Sequence, residues 1–113
     1  MNTAVTIITG HTHPGILLKE EFLEPLGIKQ IDAARSLGIP PSRLNDILAG
    51  RRAITADTAL RLGKFFGHDP RNWTNLQSNY DLSLARAEIT RARPRHKIGS
   101  YKKVARYPEL VTA

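Results

Sequence analysis

Apolar residues recur at helical spacing from about residue 14 to residue 88. Leu18 and Phe22 stand four apart and Leu26 extends their track, which predicts a first helix starting near Pro14 and ending at Pro25 and Gly27. Ile31, Ala34 and Leu37 mark one face of a second helix over residues 29–37, closed by Gly38. A third opens at Pro40-Pro41, where fixed φ and missing N–H groups cost least, and ends at Gly50 with Leu44, Ile47 and Leu48 on its apolar face. Thr55 is the expected N-cap of a fourth, with Asp57 in its first turn and Ala59, Leu62, Phe65 and Phe66 inward, before Gly67. Asp69 and Pro70 then open a fifth, whose stripe of Trp73, Leu76 and Tyr80 is expected to pack on the first and fourth. Leu82, Leu84 and Ala85 continue that pattern. A bend near residues 79–81 would divide residues 70–88 into two helices.

These elements predict an all-α fold in three parts: an arm over 1–12, a helical domain over 13–88 and a tail over 89–113. The arm has no helical period, and the β-branched run from Val5 to Ile8 suits an extended segment, read as a disordered arm in preference to a short strand pairing with a partner. At 113 residues one core is expected. The second and third helices with their glycine turn have the layout of a helix-turn-helix, whose second helix enters the DNA major groove. An ordinary helical hairpin inside a bundle has the same outline. Three features favour DNA. Gln30 opens the second helix beside its free N–H groups. Arg51 and Arg52 follow the third helix directly. Residues 28–68 carry seven Lys/Arg against three Asp, a local charge of +4.

Charge sharpens the division. Of the net +7, residues 1–88 contribute +1 and residues 89–113 contribute +6, with Glu109 the one acid there. In the tail, Arg91, Arg93, Arg95 and Lys97 alternate with other residues, and Lys102, Lys103 and Arg106 stand among Tyr101 and Tyr107. Such sequence suits tracking a phosphate backbone, folding on a protein partner, or plain solvation. Enzyme chemistry has little support: there is no Cys nucleophile, no H-E-x-x-H, no Gly-rich phosphate loop and no triad. Glu20, Glu21 and Glu24 read as a solvated helix face. His11 and His13 lack a third ligand, so neither metal nor cofactor is expected. No stretch is long enough to span a bilayer, and the absence of Cys suits a cytoplasmic protein.

Three blocks carry a family resemblance: H-P-G-I-L-L-K-E-E-F-L-E-P-L-G at 13–27, S-R-L-N-D-I-L-A-G-R-R-A-I-T-A-D-T-A-L-R-L-G-K-F-F-G at 42–67, and N-W-T-N-L-Q-S-N-Y-D-L at 72–82. Over about residues 13–88 the chain resembles the HigA-type antitoxins of the Xre-like helix-turn-helix family. The resemblance implies a five-helix, lambda-repressor-like DNA-binding domain, a homodimer on a palindromic operator in double-stranded DNA, repression of its own operon, and neutralisation of a RelE-like (HigB) mRNA-cleaving toxin. A stand-alone Xre-type regulator without a toxin is the alternative. By position in the motif, Pro41, Ser42, Asn45 and Asp46 fall closest to the bases. From side-chain chemistry, Asn45 suits adenine, Arg43 suits guanine or a phosphate, and Asp46 suits cytosine or an ion pair. Lys29, Arg35, Arg51 and Arg52 are the candidate phosphate contacts, with Gln30 as a neutral clamp. The fifth helix and its extension are the expected dimer surface, because the hairpin must stay free for DNA.

Overall fold

The structure, a computed structural model of the chain, describes residues 12–92, 98–103 and 106. Among these residues all regular structure is helical. Helix α1, Pro14–Leu17, continues directly into a π-helical stretch, Leu18–Leu23. Then follow α2, Gln30–Leu37; α3, Pro41–Leu48; α4, Ala56–Phe66; and α5, Arg71–Ala92. A 3-10 turn occupies Tyr101–Lys103. The expected features of residues 1–11 and of 93–97, 104–105 and 107–113 lie outside the described residues.

The helix ends follow from local chemistry. His13 Nδ1 accepts the Gly15 N–H at 2.9 Å and caps α1, with Pro14 in the first helical position. Gly38, at φ 73°, closes α2 in the left-handed region that a Cβ disfavours. Thr55 caps α4 by accepting the Thr58 N–H, and Asp69 Oδ1 accepts the Arg71 N–H at 2.9 Å to start α5.

The core gathers Leu18, Leu23, Ala33, Ala34, Leu37, Leu44, Ile47, Leu48, Ile54, Ala59, Leu62 and Trp73, all buried. Burying a side chain the size of Leu44 or Leu62 stabilises the fold by about 1.5–3 kcal/mol. Ala33 and Ala34 let α2 and α3 approach closely. The start of α1 lies against the end of α3 at Gly15, where an added Cβ would run into the Ile47 carbonyl oxygen. Gln77 of α5 is buried, and its Oε1 accepts the Ile54 N–H at 2.8 Å, tying α5 to the segment after α3.

Four details depart from the sequence pattern. In the π-helical stretch the Glu24 N–H bonds to the Lys19 carbonyl, five residues back, which brings both Leu18 and Leu23 inward. Ile31 is half exposed, because the two small alanines rather than Ile31 set the face of α2 that meets α3. Leu26 lies in the turn after α1 and is exposed. Helix α5 runs unbroken through residues 79–81, where no Pro or Gly provides a cause for a kink.

Candidate nucleic-acid interface

The back of α3 is apolar and buried, so its front is fixed by helical geometry. Pro41, Ser42 and Asn45 stand exposed on that front. Gln30, the first residue of α2, reaches across the turn and donates from Nε2 to Asn45 Oδ1 at 3.1 Å. This bond occupies one acceptor position of Asn45 and leaves its NH₂ group available, so the amide plane is set before any ligand arrives.

The charged candidates divide into paired and unpaired groups. Arg51 donates to Asp46 Oδ1 from Nε at 3.2 Å and from Nη2 at 2.9 Å. Of the two roles read for Asp46, the structure therefore shows the ion pair. Arg35 is bonded to Asp32 at 3.3 Å, and both side chains are largely exposed. Lys29 and Arg52 are exposed and have no carboxylate partner among the described residues. Arg43 is placed differently from the outward position read for it. Its Nη2 donates to Asp57 Oδ2 at 2.8 Å and to Thr58 Oγ1 at 3.1 Å, and the side chain is only 28% exposed.

Asp57 is the acceptor of a second arginine, Arg61, at 3.1 Å. The hydrogen bond from Arg43, then that from Arg61, holds its carboxyl below the ordinary carboxylate range. Beside it lies a cleft of about 410 Å³, lined by Arg43, Arg52, Ala53, Thr55, Asp57 and Thr58. The sequence reading missed this cluster. The Asp57–Arg61 spacing of four was a usable signal, whereas Arg43 and Asp57 are fourteen residues apart and only the fold joins them.

Residues 19–71 match a helix-turn-helix family. Virulence-associated protein I of Dichelobacter nodosus is 49% identical over 73 residues, covering 65% of this chain and 68% of that protein. The Pseudomonas aeruginosa antitoxin HigA, solved with higBA promoter, superposes with a TM-score of 0.72 at 36% identity, over 78% of this chain and 96% of that one. A HigA-family addiction module antidote protein from Coxiella burnetii gives 0.71 at 40% identity, over 80% and 98%. The chain belongs to the HigA-type antitoxins of the Xre-like helix-turn-helix family. In this HigA-type chain the matched segment contains the whole α2–α3 hairpin, α4 and the cluster around Asp57. Among the described residues no helix is long and apolar enough to cross a membrane.

Proposed function

We propose that this chain is an antitoxin that binds the operator of its own operon as a homodimer and neutralises a RelE-like, mRNA-cleaving toxin. The observation that carries the DNA half is the Gln30–Asn45 bond on the open front of α3. It presents a positioned amide between two α2–α3 flanks rich in cations. The likeness to a HigA solved with promoter DNA supports the same reading.

In this reading Pro41, Ser42 and Asn45 face the base edges, and Asp46 beside them holds Arg51. Asn45 donates its free NH₂ to adenine N7 while its oxygen faces N6. Lys29, Arg35, Arg51 and Arg52 approach phosphates, with Gln30 beside the free N–H groups of α2. Arg43 supports the helix from behind. One short helix reads only a few base pairs, so specificity requires two copies on a two-fold site, with half-sites roughly 34–36 Å apart. The second half of α5 provides the dimer surface, since Leu82, Leu84 and Ile89 are exposed there and face away from the core.

The test is a footprint on the region upstream of the gene, together with co-purification with the product of the adjacent reading frame. Protection of a two-fold site and capture of a small ribonuclease are expected. No protection at low salt would overturn autoregulation. A stand-alone regulator is the second reading, and an Escherichia coli relative, 35% identical over 83 residues and named as an HTH-type transcriptional regulator, favours it. Protection without any adjacent toxin frame would decide for it.

A further inference from the structure

Arg61 lies on α4, outside the hairpin, yet it bonds the end of α2 and the turn directly. Its Nη1 donates to the Leu37 carbonyl at 2.9 Å and to the Gly38 carbonyl at 3.3 Å. These carbonyls belong to the C-terminal end of α2 and the turn, where backbone acceptors lack helical partners and a cation is favoured. Its Nε donates to Asp57 Oδ2 at 3.1 Å. The same oxygen accepts from Arg43 of α3 at 2.8 Å, and Arg43 also bonds Thr58 Oγ1. One guanidinium thus holds the turn directly and the third residue of α3 through a shared carboxylate. Gly38 leaves room for this: a Cβ there would come 3.0 Å from Arg61 Nη1.

We propose that Arg61 is a positioning residue for operator recognition, setting the angle at which α3 is presented by bracing Arg43 through Asp57 against the Leu37–Gly38 turn. The inference rests on the DNA-binding reading above. A base-reading helix needs its side chains within a fraction of an ångström of productive geometry, whereas phosphate attraction tolerates small rotations. Loss of the brace therefore reduces sequence discrimination rather than attraction to DNA. Only a planar fork with separate donors spans the turn carbonyls and Asp57 together; a lysine ammonium keeps the charge but holds one side at most.

The experiment compares wild type, Arg61→Lys and Asp57→Asn on two duplexes of equal length, one carrying the two-fold site upstream of the gene and one with that site scrambled. Affinities are measured well below each melting temperature. For Arg61→Lys, affinity for the operator duplex is expected to fall by about tenfold, comparable with one mismatched base pair. Affinity for the scrambled duplex and its salt dependence stay unchanged, because the charge is conserved. Asp57→Asn breaks the link from the other side and lowers the operator-to-scrambled ratio as well. The two substitutions combined cost less than the sum of their effects, since both cut one chain of contacts. A lowered melting temperature with an unchanged affinity ratio in both variants overturns the inference, as does an equal loss on both duplexes. A wild type that does not discriminate the duplexes overturns the DNA-binding reading itself, and the inference with it.

Discussion

Helix α3 and the second half of α5 are both exposed, but they are built for different neighbours. Behind α3 lie Leu44, Ile47 and Leu48, fully buried, and its front carries polar groups already bonded to the domain. Over residues 81–91 of α5 no residue is buried. Leu82, Leu84 and Ile89 are 49%, 54% and 47% exposed there, and Arg91 pairs with Glu88 at 3.1 Å along the helix surface. A polar surface with fixed side chains suits a wet, charged ligand, because little side-chain entropy remains to be lost on binding. Exposed apolar side chains, such as Leu82 and Ile89 seven residues apart on one face, gain free energy only when covered by another apolar surface. Under the function proposed above, the domain prepares one face for a polyanion and leaves another for a second copy.

The strongest test of that contrast is to charge the apolar stripe. Leu82→Glu with Ile89→Glu is expected to leave the domain folded and to give monomers in sedimentation. Operator affinity should then drop by about a hundredfold or more, because two linked half-sites act with high effective concentration and single ones do not. Operator binding as tight as wild type by a monomeric variant would break the comparison. On the other face, Asn45→Ala should cost about 1–3 kcal/mol on the operator and relax preference at one base position, read from a panel of single-substituted duplexes. An unchanged panel would remove Asn45 from the base-reading set.

Arg52→Ala removes a cation that has no carboxylate partner among the described residues. It should weaken binding to every duplex and make the salt dependence shallower by about one unit of slope. Truncation to residues 1–90 extends the same measurement to the tail. Spared folding with a salt-sensitive loss on any duplex identifies a DNA arm. Retained operator binding with lost toxin capture identifies a partner-binding segment.

The smallest expected effect lies where the two regions meet. His13 caps α1, stands beside Gly50 at the end of α3, and packs edge-on against Tyr80 of α5 at 5.0 Å. Burial lowers its pKa from 6.5, against a smaller opposing effect of Asp81. The unfolded chain therefore binds the proton more readily than the folded one. Stability should be constant above pH 6.5 and decline as the pH falls from there through the lowered folded value. His13→Asn keeps an acceptor for the Gly15 N–H and should flatten that decline in thermal melts taken across the range. A decline of equal size in the variant would assign the effect to other groups.

The sequence by itself determined the helices and most of their ends. Apolar spacing, the Pro and Thr starts and the Gly38 and Gly67 stops all act within one or two turns, so they are legible locally. The hairpin and the exposed front of α3 follow from that short-range pattern, while the family resemblance rests on the residues of three separated blocks. Tertiary structure decided what distant residues do to one another. Ile31 reads as core by spacing, yet the close packing permitted by Ala33 and Ala34 leaves it half exposed. Arg43 reads as a free fork, yet α4 brings Asp57 and Thr58 to it across a separation of fourteen and fifteen residues. His13 reads only as half of a histidine pair without a third ligand, yet the fold buries it against Tyr80 of α5. Spacing along a chain specifies which way a side chain points from its own helix; which charge or ring it meets is set by the crossing of helices far apart in sequence.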